Sequence, residues 1–423
     1  MEKRQNYIAP IIVTFMLFGM IAFVSNLSSP MGDILSHQFN IPNWQGTLGV
    51  FANFIAYAMM GYPAGALLHR FGYKRTSLLA IAVGLVGVGI QTLSGYLESF
   101  GTYLMGAFVA GFSMCMLNTV VNPMLNRLGG GGNRGNQMIQ YAGTLSSLCG
   151  TAVIILTGLL IPSGIRQAAI SNTFPLMYTA LAVFAVAFVV MACTDMPERE
   201  TPSQEGESRA VASPLSYRHF VYGAVAIFIY VGVEVGTPNV MNKWLQNPDL
   251  HLFADGINAE AVAASVAATY WLLMLVGRLL GGLVANRISA RRMLTAAALG
   301  ALALVLGAII APLEFVHFPA FYGAQGFGMV QIPLSAALLA CVGLCTSVMW
   351  GAIFNLAVEG LGVSTEKASG IFMALVCGGG VLPLIQNGIV DITGRYLTSY
   401  WLVVAGFAYI LFFALRGSKI REA

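Results

Sequence analysis

A chain of 423 residues with 57% hydrophobic and only 9% charged residues lies far from the soluble norm of about a quarter charged. Apolar runs near the roughly 20 residues that a helix needs to cross a bilayer recur from end to end, so the chain reads as an all-α membrane protein held in the lipid bilayer. Its net charge of +4 reflects topology and gives no support to a nucleic-acid partner.

Breaking the apolar runs at charges and at Gly and Pro clusters predicts twelve transmembrane helices, at 8–36, 44–68, 75–96, 100–127, 136–162, 172–194, 217–245, 258–286, 291–312, 328–358, 366–391 and 397–415. No β-barrel alternation is present, which leaves helices as the spanning form. A lipid-facing polar group is costly, so polar residues at mid-span are the site candidates.

The first span carries Asn26, Ser29 and Asp33 on one face, with Pro30 as a kink. Lys3 and Arg4 precede it, but SNLSSPMGD at its end offers no convincing cleavage site, so the run is expected to remain as a span. The fourth span holds Asn118 and Asn122 at i, i+4 before Pro123, and the fifth holds Gln137, Gln140, Tyr141 and Thr144. Between them GGGGNRGN, at 129–136, lacks the Lys-Ser/Thr of a phosphate loop. No cofactor is expected.

After the sixth span comes TDMPERETPSQEGESRAVASPLSYR, the only sustained polar stretch. It divides the chain into an N-terminal six-helix half (1–194), a cytoplasmic linker (195–216) and a C-terminal six-helix half (217–423). In the seventh span Tyr230, Glu234 and Thr237 share a face, and Pro238 with Asn239 and Asn242 breaks the helix. A charge at mid-membrane depth costs roughly 2.5–3.5 kcal/mol on insertion scales. Packing needs no carboxylate, so Glu234 points to a function. The eighth span adds Tyr270, Trp271 and Arg278, the last grouped with Gly277, Gly281 and Gly282 as an expected packing and gating element. Trp350 and Asn355 follow in the tenth span, and Gln386 with Asn387 in the eleventh.

Amides with interleaved aromatics suit a neutral, hydroxyl-rich ligand, because amides donate and accept while rings pack on apolar sugar faces. The expected substrate-binding set is Asn26, Ser29, Asn118, Asn122, Gln140, Tyr230, Glu234, Asn239, Trp271, Asn355, Gln386 and Asn387. For each amide the alternative is a helix-bridging hydrogen bond, and for each Trp or Tyr it is interfacial anchoring.

With the N-terminus cytoplasmic, of the 21 Lys and Arg only Arg166, Lys243 and Arg395 fall outside, and Arg278 lies within a span. Both termini are therefore expected in the cytoplasm. All six cysteines fall inside predicted spans, which argues against a disulfide framework. The five histidines show no ligand spacing, so no metal site is expected. Neither is there a clustered nucleophile and base, and the expectation is a non-enzyme.

Each half repeats one pattern between its second and third spans. The first copy is Gly65-Ala-Leu-Leu-His69-Arg70-Phe-Gly72-Tyr-Lys74-Arg75, and the second is Gly282-Leu-Val-Ala-Asn286-Arg287-Ile-Ser289-Ala-Arg291-Arg292. The offset is 217 residues, and the first Gly, the first Arg and the final basic pair coincide. This is the mark of a duplicated half. Glycine lets two helices approach closely, and the basic cluster caps helix C-termini. Gly65, Arg70, Arg75, Gly282, Arg287 and Arg292 are the expected gating-loop residues.

The pattern resembles the loop signature G-x-x-x-D-R-x-G-R-R of the major facilitator superfamily, with His69 and Asn286 in place of the acid. Asp33-Ile-Leu-Ser-His-Gln38-Phe39, Leu117-Asn118-Thr-Val-Val-Asn122-Pro123 and Tyr230-Val-Gly232-Val-Glu234 resemble segments of the fucose, galactose and glucose permease family, as do Leu361-Gly362 and Gly378-Gly379-Gly380. The resemblance implies a bacterial inner-membrane transporter, expected to act as a monomer, that imports a neutral monosaccharide such as fucose, glucose or galactose by alternating access. Family members mostly couple sugar to protons. Where the family places a glutamate in the fourth span this chain has Asn118, and either Asp33 or Ser29 takes the first-span acidic position. Glu234 and Asp33 are thus the proton-coupling candidates. Two roles stay open for Glu234, sugar binding and proton exchange, and sugar uniport or export of a drug or metabolite stays open for the chain.

Overall fold

A computed structural model describes residues 8–38, 48–160, 173–196, 213–253, 257–321 and 326–420, with only the main chain described for 27–38, 49–50, 153–160, 248 and 363. Among the described residues ten helices are long and apolar enough to cross a membrane. One of them, Phe51–Leu97, holds two of the expected spans. Its helix breaks at Gly72, with φ 76° and ψ −177°, a left-handed conformation that glycine adopts without a Cβ penalty. The break falls inside the first copy of the loop signature. The fifth expected span is the helix Gly132–Leu160, which brings the architecture to twelve spans.

The remaining spans follow in order. The first is Ile8–Gln38, the fourth Phe100–Leu128, the sixth Phe174–Cys193, the seventh Arg218–Gln246, the eighth Ala259–Val284 and the ninth Ala290–Ile310. The tenth is two pieces, Leu334–Thr346 and Met349–Val358. Near this break Ser347 Oγ donates to the Leu344 carbonyl at 2.6 Å, a local bond of the kind that competes with the helical ladder. The eleventh is also broken, into Thr365–Ala374 and Gly378–Thr393, and the twelfth is Tyr400–Phe412.

One element departs from the sequence reading. The tenth span was expected from residue 328, but Phe327–Pro333 is a strand, β2, paired antiparallel with β1, Phe315–Phe321, in the register Phe315↔Pro333 to Phe321↔Phe327. Val330 and Ile332 are buried while Met329 and Gln331 are exposed. A strand places such alternating residues on one face. Pro333 has no N–H to give a helix interior, and the span starts just after it. The Phe321 N–H donates to Ser265 Oγ at 2.9 Å, which ties the hairpin to the eighth span.

The chain divides into two compact units, Met1–Tyr217 with Val358–Cys377, and Arg218–Ala357 with Gly378–Ala423. The first part of the eleventh span thus packs in the first unit and its second part in the second. Most of the polar linker lies outside the described residues.

Candidate functional site

In the second unit the polar cluster is built around a proline. Pro238 removes the N–H that would bond the Glu234 carbonyl four residues earlier. The Tyr270 hydroxyl, from the eighth span, donates to that carbonyl at 3.2 Å and also meets Thr346 Oγ1 at 3.2 Å. One turn on, the Tyr400 hydroxyl donates to the Thr237 carbonyl at 2.8 Å. The seventh span was expected to break at Pro238, but it stays one helix, Arg218–Gln246, and the Tyr270 hydroxyl supplies the donor the proline lacks, as spanning segments require where no water can.

The side chain of Glu234, with 11% of its surface exposed, takes two contacts. The Tyr230 hydroxyl donates to Glu234 Oε1 at 2.6 Å, and Arg278 Nη2 lies 3.4 Å from the same oxygen. Tyr230 is one turn before Glu234, so the i, i+4 spacing delivers its hydroxyl. Among the described residues Oε2 takes no hydrogen bond, which leaves an acceptor oxygen available. Trp350 stands beside the cluster, its ring centroid 6.4 Å from that of Tyr230. Arg278, expected from the sequence to serve packing and gating, is a direct partner of Glu234.

The other candidates of this unit are placed differently. Gln386 is buried and its Nε2 donates to Ser399 Oγ at 3.4 Å, while Asn355 is also buried. Asn239 and Asn387 meet at 3.3 Å, and Lys243 Nζ donates to Asn387 Oδ1 at 2.9 Å. Trp271 is 45% exposed and packs edge to face on Tyr270, with centroids 5.4 Å apart. No described contact joins it to Glu234.

In the first unit Asn118 and Asn122 are buried on the fourth span. Asn118 Nδ2 donates to the Tyr57 hydroxyl at 2.7 Å and to the Met114 carbonyl at 3.1 Å, and Asn122 Nδ2 donates to the Asn118 carbonyl at 2.8 Å. Gln140 is buried on the fifth span, where its carbonyl accepts from Thr144 Oγ1 at 3.1 Å. Asn26 Nδ2 donates to the Ala22 carbonyl at 2.8 Å. The side chains of Ser29 and Asp33 lie outside the described residues.

The proline device recurs here. Pro123 frees the Thr119 carbonyl, and Ser369 Oγ from the eleventh span donates to it at 2.9 Å. Nearby, His69 Nδ1 lies 3.5 Å from Glu366 Oε2, so the histidine that replaces the signature acid meets an acid on another helix. A Cβ on Gly65 would come within 3.0 Å of Gly370 Cα, a close approach that only glycine at both positions permits. Arg70, Arg75, Arg287 and Arg292 are exposed. Gly282 is buried, and Ser289, beside it in the second copy, caps the ninth span by accepting from the Arg292 N–H at 3.4 Å.

Sequence reasoning missed Tyr57, Ser369 and Glu366. Each Pro marks which carbonyl needs a donor, but nothing in the spacing names the donor.

The fold is similar to that in a crystal structure of a Major Facilitator Superfamily transporter, FucP, in the outward conformation, with a TM-score of 0.81, 20% identity and coverage of 98% of this chain and 100% of that one. Along the sequence the chain is 28% identical to a glucose/galactose transporter of Brucella abortus biovar 1 (strain 9-941), over 99% of this chain and 96% of the relative. It is 22% identical to the L-fucose-proton symporter of Escherichia coli (strain K12), over 97% of this chain and 94% of the relative. The family model described as Major Facilitator Superfamily matches residues 12–340, and with that match the chain belongs to the Major Facilitator Superfamily.

Proposed function

We propose that this chain is a secondary transporter that carries a neutral monosaccharide, a hexose or deoxyhexose, inward across a bacterial inner membrane by alternating access, with both termini cytoplasmic. The observation that carries this reading is the Glu234 carboxylate, held by Tyr230 on Oε1 and without a described partner on Oε2, with the ring of Trp350 beside that of Tyr230. An ionised acceptor takes a sugar hydroxyl more strongly than a neutral one, and an aromatic wall suits the apolar face of a sugar ring. Within the first unit, Asn118, Asn122 and Gln140 are buried amides, groups that both donate and accept, which is the chemistry that suits a neutral hydroxyl-rich ligand. The names of the relatives, glucose/galactose transporter and L-fucose-proton symporter, agree with this chemistry.

Sugar binding is the favoured role of Glu234 in this proposal; proton symport stays open beside it, with Glu234 and Asp33 as the two candidate carriers. Uniport is the second reading, and it is favoured by one observation: Asn118, whose amide donates a hydrogen bond to the Tyr57 hydroxyl, does not ionise and so cannot carry a proton. Uptake of radiolabelled D-glucose, D-galactose and L-fucose into proteoliposomes, with and without an imposed pH gradient, tests both. Uptake of none of the three removes the sugar assignment. Uptake indifferent to the gradient leaves uniport.

A further inference from the structure

The eighth span addresses Glu234 twice. Tyr270 takes its main-chain carbonyl, and Arg278, two turns further along, reaches its carboxylate. The side chains of Arg278 and Glu234 are only 18% and 11% exposed. Charges so buried persist only when paired, and an arginine does not give up its proton in a protein. The carboxylate is therefore the member of the pair that can change charge. Other titratable groups face the cluster from every side: Tyr230 on the seventh span, Tyr270 on the eighth, Cys345 on the tenth and Tyr400 on the twelfth. Each is uncharged in its ordinary form, so Arg278 is the cation of the cluster.

We infer that Arg278 is a positioning residue for substrate binding, which keeps Glu234 ionised and turned so that Oε2 accepts a sugar hydroxyl. The inference rests on the reading of Glu234 as a sugar-binding carboxylate. Its geometry supports a single-sided hold. Both contacts land on Oε1, whereas a bidentate arginine would occupy both oxygens and leave no acceptor for ligand. Without the guanidinium, a buried carboxylate that has lost its counter-charge takes up a proton instead. Protonated, it turns from acceptor to donor.

The test compares purified wild type, R278K, R278Q, E234Q and E234Q/R278Q by infrared spectroscopy and by binding of D-glucose and D-galactose, from about pH 5 to about pH 8. R278Q is expected to show a protonated-carboxyl stretch at neutral pH that wild type, R278K and E234Q/R278Q lack. Its hexose affinity is expected to be about 10-fold lower there, equivalent to one hydrogen bond's worth of discrimination, and to return as rising pH ionises Glu234. An R278Q protein without that band and with the wild-type pH profile of affinity overturns the inference. If wild type binds neither hexose the sugar reading fails, while the infrared comparison still decides whether Arg278 holds Glu234 charged. Should R278Q fail to fold, a stable E234Q/R278Q supports the pairing, and a double variant as unstable as R278Q contradicts it.

Discussion

The Tyr270 hydroxyl stands 3.2 Å from the Glu234 carbonyl, the carbonyl that Pro238 leaves without its helical donor. The bond joins the seventh and eighth spans at the residue on which the candidate site depends. Replacing Tyr270 with Phe strands a buried acceptor, which costs about 1–3 kcal/mol. We expect a lower thermal midpoint for Y270F in detergent. Pro238→Ala restores the N–H at the right position, so Y270F/P238A is expected to recover part of the loss. A double variant no more stable than Y270F would show that the hydroxyl does not serve this carbonyl.

His69 and Glu366 meet at 3.5 Å, with the glycines Gly65 and Gly370 packed beside them. A partly exposed pair of this kind contributes about 0.2–1 kcal/mol, too little to test by its loss alone. Reversing its sign is more informative. His69→Asp restores the acid of the superfamily signature but sets it against Glu366, and like charges repel. Hydrogen exchange of residues 365–377 is expected to be faster in H69D and slower again in H69D/E366K. Equal exchange in all three proteins would leave the pair without a docking role.

How much of this was legible beforehand differs between residues. Glu234 stood out because a carboxylate in an apolar span is expensive, and Tyr230 followed from helical spacing. The twelve spans followed from hydropathy, and the paired loop signatures from direct comparison of the two halves. What stayed hidden depends on distance along the chain. Tyr270 lies 36 residues from the carbonyl it serves, Arg278 lies 44 from its partner oxygen, and Glu366 lies 297 from His69. No local rule reaches so far, since these contacts are set by which helices pack together. The hairpin at 315–333 was hidden differently: its apolar residues raise hydropathy as a helix would, and only their period of two reveals a strand.

Removing the charge of Glu234 tests the proposed site most directly. Glu234→Gln keeps the shape and the Tyr230 contact but weakens the acceptor. A hydrogen bond to a charged group contributes about 1.5–3 kcal/mol, so hexose affinity is expected to fall by about 10- to 100-fold. If Glu234 also carries the proton, uptake by E234Q will no longer respond to an imposed pH gradient. Counterflow, which needs no net coupling, will persist at high sugar concentration. Unchanged affinity in E234Q would move the sugar away from this residue.

The first unit offers a matching test on a neutral pair. Asn118 Nδ2 donates to the Tyr57 hydroxyl at 2.7 Å, which fixes the amide at the position where the resembling permeases carry an acid. If that orientation serves the sugar, Asn118→Ala and Tyr57→Phe should each weaken hexose binding by about 1 kcal/mol, near 5-fold. The two changes act on one contact, so N118A/Y57F should lose no more than the larger single effect, with an interaction energy of about 0.5–3 kcal/mol in the cycle. Strictly additive losses would mean that the two side chains act separately. In that case Asn118 recognises ligand, if at all, without help from Tyr57, and the part-buried pair is only a bridge between the second and fourth spans.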